Sequence, residues 1–262
     1  MPAERLGVVG YPVAHSLSPR IQNAALEALG LDDWRFQLLP VPPELFEETV
    51  RALPAAGFRG VSVTVPHKEA ALALAGEATA GAREIGAANT LTFEDGVIHA
   101  DNTDAPGFID SLPARPEPGS TALVLGAGGS ARAVAWALSR AGVDVKVWNR
   151  TAERARSLAA DLGVEAVSEP VGAGMLVNCT TAGMEGDPFE ILPVGPSGIG
   201  DYQTVVDLVY ADAEGRLLAA AQAAGARVVD GIEILVRQGA IALERWTGRP
   251  APLEVMRSAA RQ

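Results

Sequence analysis

The sequence has a single cysteine, Cys179, in 262 residues. One thiol allows no intrachain disulfide and no all-cysteine metal site. The three histidines, His15, His67 and His99, stand at no metal-ligand spacing, so no metal is expected. No run reaches the ~18 apolar residues of a membrane span. Residues 1–12 carry Glu4 and Arg5 and no long apolar stretch, which gives no sign of a secretory signal. A soluble protein of a reducing, cytoplasmic compartment is therefore expected. Lysine is scarce: Lys68 and Lys146 are the only two, and every other basic side chain is Arg. Asparagine occurs only at 23, 89, 102, 149 and 178. Coding-DNA base composition explains such scarcity as well as function does, so it directs attention without deciding anything.

What is present describes a folded chain. Hydrophobic residues make up 48% and charged residues 20%, and mean hydropathy is +0.16. That excludes a disordered chain and implies a substantial core. The net charge of −11 leaves no global electrostatic footprint for nucleic acid. The 28 Gly and 18 Pro are scattered between apolar runs, as in a turn-rich α/β protein. At ~150 residues per domain the length suits one large domain or two ordinary ones.

Strand-like and helix-like segments alternate along the chain. Strands are expected at 5–9, 35–39 and 60–65, and helices at 19–29, 43–53, 66–75 and 80–87. Ser18 reads as a helix cap, Pro19 as the first helical residue and Gly30 as the stop. Residues 90–93 and 97–100 flank Glu94-Asp95-Gly96, a hairpin signal. Residues 113–119 form a proline-rich connector. Beyond it come strands at 122–125, 144–148, 175–178, 205–208 and 227–229. Helices follow at 131–141, 152–162, 213–224 and 231–247. Such alternation argues for parallel sheets covered on both faces.

The segment 122–131 is a strand, a glycine turn and a helix. Gly126-Ala127-Gly128-Gly129-Ser130-Ala131 fits the G-x-G-x-x-A form of the dinucleotide fingerprint. Gly126 would make the tight turn, Gly128 and Gly129 would admit a pyrophosphate, and the helix would offer free N–H groups. A plain strand-to-helix turn also uses glycines, but the complete βαβ context favours binding. The next strand runs into Asn149-Arg150-Thr151, where an NAD site usually offers an acidic residue. Arg150 and Arg154, one helical turn apart, suit a 2′-phosphate instead, which predicts NADP over NAD.

Four polar clusters precede the connector. His15-Ser16-Leu17-Ser18-Pro19 puts two hydroxyls two residues apart, and an extended Ser18 would turn both to one side. A purely capping Ser18 is an equal reading. Ser62-Val63-Thr64-Val65-Pro66-His67-Lys68 places a cation in the first turn of a helix, against the dipole, at a cost of about 0.3–1 kcal/mol. That unfavourable setting points to function over a solvated surface lysine. Ala87-Ala88-Asn89-Thr90 and Asp101-Asn102-Thr103-Asp104 lie at strand edges. Singly, Asn89 reads as a turn residue, and Asp104 or Thr103 as the cap of a helix ending near Leu112.

Together these motifs resemble the shikimate dehydrogenase family over nearly the whole chain. The resemblance is carried by Gly10-Tyr11-Pro12-Val13-Ala14-His15-Ser16-Leu17-Ser18-Pro19 through Asn23, then by residues 63–68, 88–90 and 102–104 in the family's order. It continues through residues 126–131, 149–151, 178–184 and 207–210, then Gly231, Leu235 and Gln238. It implies reversible NADPH-dependent reduction of 3-dehydroshikimate to shikimate. It also implies an α/β fold of two domains with the active site in the cleft between them. One is an N-terminal open α/β substrate domain (1–101 with 238–262); the other is a Rossmann-like NADP-binding domain (102–237). Lys68 would be the catalytic acid/base, paired with Asp104. Ser16 and Ser18 would bind the substrate carboxylate, and Thr64, Asn89, Asp104 and Gln238 the ring hydroxyls, with Tyr210 nearby. The cofactor set would be Gly126, Ala127, Gly128, Gly129, Ser130, Asn149, Arg150, Thr151, Arg154, Leu208 and Gly231. The partners implied are small molecules alone, with no nucleic acid or membrane, for a monomer or homodimer.

The chain departs from the family pattern at Ser62, often Asn, at residues 211–215, and at Glu233-Ile234, often Gly-Met. Three other readings compete. One is a quinate/shikimate enzyme with relaxed NAD use. A second is a non-catalytic sensor of shikimate-like ligands or NADP. A third is a related oxidoreductase for a larger substrate such as a folate. Arg150 and the Ser16/Ser18 pair weigh against the first, the Lys68 and Asp104 pair against the second, and Ser16/Ser18 against the third.

Overall fold

The structure, a computed structural model, describes residues 4–210 and 215–262. It contains two compact units, Met1–Gly107 with Leu235–Gln262, and Phe108–Ile234. The first opens with β1 (Arg5–Gly10), α1 (Ser18–Ala28), β2 (Arg35–Pro40), α2 (Phe46–Ala52) and β3 (Phe58–Val63). It continues with α3 (Lys68–Leu74), β4 (Glu77–Ala78), α4 (Ala80–Ile85), β5 (Thr90–Glu94), β6 (Val97–Asp101) and the start of α5 (Asp104–Ser111). The second unit carries β7 (Thr121–Leu125), α6 (Gly129–Arg140), β8 (Asp144–Trp148), α7 (Ala152–Leu162) and β9 (Glu165–Ala166). After these come β10 (Met175–Asn178), β11 (Thr204–Asp207), α8 (Arg216–Ala223) and β12 (Arg227–Val229). Then α9 (Gly231–Thr247) and α10 (Leu253–Ala260) end the chain.

The first sheet has the order β2-β1-β3-β5-β6-β4. It is mixed: the alternation alone argued for parallel sheets and the hairpin signal for one antiparallel pair, and β5 runs antiparallel to both β3 and β6. The Asp95-Gly96 turn, with φ of 50° and 77°, closes the two-residue hairpin that sets β6 antiparallel to β5. The second sheet, β12-β11-β10-β7-β8-β9, is parallel in every pairing. Its central β7 is buried along Ala122–Leu125, as a strand covered on both faces must be.

Several local expectations change. The His67 N–H donates to the Thr64 carbonyl and closes a turn there, so α3 starts at Lys68 and not at Pro66. Ser18 opens α1 in helical conformation, with no side-chain cap on that helix; its N–H donates to Ser16 Oγ at 3.2 Å. At α5 the Ala105 N–H donates to Asn102 Oδ1, so Asn102 takes the capping role assigned to Thr103 or Asp104. The start of the helix expected over 213–224 and most of the 211–215 departure lie outside the described residues. Among those described, no helix is long and apolar enough to cross a membrane, and no group of His, Cys, Asp or Glu could hold a metal ion.

Candidate active site

Four chain segments of the first unit bring their polar side chains together at Asn89. The residue stands just before β5, where its backbone is fixed twice: the Val63 N–H donates to its carbonyl and its own N–H donates to the Asp101 carbonyl. Its side chain is buried and fully engaged. Asn89 Nδ2 lies 2.8 Å from Asp104 Oδ1, 3.0 Å from Thr103 Oγ1 and 3.1 Å from Gln238 Oε1. Asn89 Oδ1 accepts the Thr103 backbone N–H at 2.7 Å. Two amide hydrogens face three acceptors, so one acceptor is always available to another donor. The plain turn role considered for Asn89 is thus too small, because its side chain organises the Thr103-Asp104 corner.

Lys68 reaches the same cluster from α3. Its Nζ lies 2.6 Å from Asp104 Oδ2, and the two side chains are 10% and 15% exposed. An ammonium in this setting needs a paired carboxylate, since burying a lone charge is costly. The Lys68 backbone is held as well, its carbonyl accepting the Ala88 N–H at 2.8 Å. One residue earlier, buried His67 donates Nε2–H to the Val41 carbonyl at 2.7 Å and stacks on Phe46. Burial holds its imidazole below its ordinary value; the Val41 bond opposes that in part.

Gln238 comes from α9. Its Nε2 donates to the Leu235 carbonyl, which aims Oε1 at Asn89. Helix α9 comes very close to α5 here, since a Cβ on Gly107 would stand 2.7–2.8 Å from Gln238 N, Cα and Cβ. On the other side of α9 the buried Gln22 donates to the Gly239 carbonyl at 2.9 Å. The roles of Gly107 and Gln22 were missed in the sequence because close helix approach leaves no periodic signal. Ser16, Ser18 and Thr64 follow β1 and β3 on the same side of the strands, at their C-terminal ends. Thr64 is half-buried and its N–H donates to the Val9 carbonyl, across from β1. Tyr210, placed in the substrate group by resemblance, belongs to the second unit.

In that unit the glycine turn follows β7. Gly126 has φ of +113°, a conformation that side chains disfavour, and its N–H donates to the Trp148 carbonyl. A Cβ at Gly128 would meet nothing within 4 Å, and α6 begins there with no side-chain cap and no acidic residue in its first turn. Open space at a positive helix end is what a pyrophosphate requires. Arg150 and Arg154 are exposed, and among the described residues neither side chain has a hydrogen-bond or ion-pair partner. Asn149 Nδ2 donates to the Thr151 carbonyl and shapes that turn. These residues fit a phosphorylated dinucleotide.

The chain is similar to known proteins along nearly its whole length. Residues 8–91 match the shikimate dehydrogenase substrate binding domain, residues 116–175 match shikimate / quinate 5-dehydrogenase, and residues 231–261 match the shikimate 5'-dehydrogenase C-terminal domain. The NADP(+) shikimate dehydrogenase of Methylobacterium radiotolerans is 46% identical over 95% of this chain and 92% of its own. The shikimate 5-dehydrogenase of Thermus thermophilus, solved with NADP(H) and shikimate, is 42% identical with a TM-score of 0.89, covering 98% of both chains. That of Aquifex aeolicus is 37% identical with a TM-score of 0.92, covering 99% of this chain and 98% of its own. With identity of this level along nearly its whole length, the chain belongs to the shikimate dehydrogenase family.

Proposed function

We propose that the protein reduces 3-dehydroshikimate to shikimate reversibly with NADPH, in the route to chorismate and the aromatic amino acids. The observation that carries this reading is the Lys68–Asp104 pair, held in one network with Asn89 and Gln238. When bound, NADPH supplies the hydride. The ketone oxygen gains charge as the carbon is reduced and needs a proton to become a hydroxyl. Lys68 Nζ gives that proton, and Asp104 keeps the ammonium in place for it. A positioned general acid of this kind contributes roughly 10²–10⁴ in rate. In the oxidative direction the neutral amine takes the proton back.

The remaining side chains bind and orient. Ser16 Oγ accepts the Ser18 N–H, which leaves its own O–H to donate to the substrate carboxylate beside the Ser18 hydroxyl. Asn89 and Gln238 exchange part of their mutual hydrogen bonding for the ring hydroxyls, with Thr64 alongside. The glycine turn, Arg150 and Arg154 hold the phosphates of NADP(H), Ala127, Ser130, Asn149 and Thr151 complete that wall, and Leu208 and Gly231 serve the nicotinamide end. The setting is cytoplasmic, the partners are small molecules, and the active form is a monomer or homodimer.

Initial rates of NADP⁺ reduction with shikimate test this, with quinate and NAD⁺ as parallel arms. Fast turnover confined to shikimate and NADP⁺ is expected. Comparable rates with quinate or NAD⁺ would make it the broader quinate/shikimate enzyme. Binding of shikimate without any turnover would make it a sensor.

A further inference from the structure

Asn178 and Asp207 have no part in the chemistry above, yet they are the two most deeply buried polar side chains described in the second unit, at 0% and 4% exposure. They stand at the C-terminal ends of β10 and β11, which are paired neighbours. Asn178 Nδ2 donates to Asp207 Oδ1 at 2.9 Å. The same Asp207 oxygen accepts the Val209 N–H at 3.0 Å, which fixes the loop after β11. Asn178 does the same for the loop after β10. Its Oδ1 accepts from Thr180 N at 3.0 Å and Thr180 Oγ1 at 2.7 Å, and its Nδ2 also reaches the Ala182 carbonyl at 3.2 Å. Thr180 Oγ1 closes the turn by accepting the Ala182 N–H at 3.0 Å.

Each of these loops presses on a segment assigned to the cofactor. A Cβ on Gly126 would stand 3.0 Å from the Cys179 carbonyl oxygen and 3.4 Å from Thr180 Cγ2. A Cβ on Gly231 would stand 2.5 Å from the Leu208 carbonyl oxygen. The Leu208 N–H in turn donates to the Asn178 carbonyl at 3.0 Å. The strand order reverses between β7 and β10, which is where open parallel sheets bind their ligands. A buried carboxylate and amide there form a bridge from the glycine turn to Leu208, and leaving any of its groups unpaired is expensive.

We propose that Asn178 and Asp207 are a coupled pair of positioning residues for NADP(H), acting through the 179–182 and 208–210 loops, with Thr180 as the relay. The proposal rests on reading this unit as the NADP(H) site. Its chief readout, quenching of protein fluorescence by NADPH, needs no turnover. Thr180→Val keeps the methyl against Gly126 and removes only the hydroxyl. It weakens NADPH binding by about three- to tenfold, and Thr180→Ser, which keeps the hydroxyl, recovers most of that loss. Asn178→Ala and Asp207→Ala each weaken binding by about tenfold or more, and the double variant matches the worse single, because either cut opens the same bridge. Shikimate affinity by calorimetry stays at the wild-type value in every variant.

Equal NADPH affinity in Thr180→Val and wild type would overturn the proposal, and so would alanine effects that multiply in the double variant. A loss of shikimate affinity in parallel with NADPH would show general damage to the fold, which also overturns it. Should an alanine variant fail to fold, the Thr180 pair decides alone. Wild type that binds NADPH but does not turn over shikimate would remove the proposed reaction and leave this pairing to be judged by the variants. Wild type that binds no NADPH would remove both.

Discussion

Lys68 is a cation at the first residue of a helix, where the dipole opposes it, and Asp104 at 2.6 Å makes that placement tolerable. Removing the carboxylate should leave a buried ammonium without its partner. Asp104→Asn is therefore expected to lower kcat by about 10²-fold, and adding it to Lys68→Ala should cost little more, since the two act as one unit. Steady-state rates of the three variants check this. At the other site, Arg150→Ala removes a guanidinium suited to the 2′-phosphate. The KM for NADP⁺ should rise about tenfold while that for NAD⁺ stays nearly unchanged. The sequence singles out Lys68 and Arg150 because each breaks a local rule: a cation at a helix start, and a base where an acid is usual. Asn102 was not legible as a cap, because three neighbouring polar residues could each take that role and only the fold chooses among them.

Helix α5 can approach α9 at Gln238 only because Gly107 has no side chain. Gly107→Ala should push Gln238 away from Asn89 and raise the KM for shikimate by about tenfold, with NADPH affinity unchanged. Separate KM values for the two substrates check it. The elements that the sequence located to the residue are the strongly patterned ones: β8, β10, β12, α7 and α9. The missed ones are β4, β9 and α10. Two-residue strands carry no alternation to read. Helix α10 is eight residues long and follows Pro252, and it is fixed by packing on α1 and by the bond from Arg20 to the Ala260 carbonyl. Its existence depends on a contact across the whole length of the chain, which local propensity does not carry.

Stability of the whole molecule should carry the signature of one buried imidazole. Burial holds His67 neutral, below its ordinary value of 6.5. As pH falls through that value the unfolded chain takes up a proton that the folded chain refuses. Stability is thus full above it and declines as pH drops toward the folded value. Tm should fall between about pH 7 and 5.5, above the usual carboxylate range, and His67→Phe, which keeps the ring stack, should flatten that slope. Thermal melts across that range decide it. The two-sheet architecture was legible from alternating segments, and the mixed first sheet was signalled by its Asp-Gly turn yet overridden by the general pattern. The central claim concerns Lys68 as proton donor, and one pairing of measurements tests it most directly: turnover of shikimate with NADP⁺ by Lys68→Ala, beside shikimate binding to the same variant. The account predicts turnover reduced by about 10²–10⁴ with binding retained. Lost binding with turnover intact at saturating shikimate would contradict it.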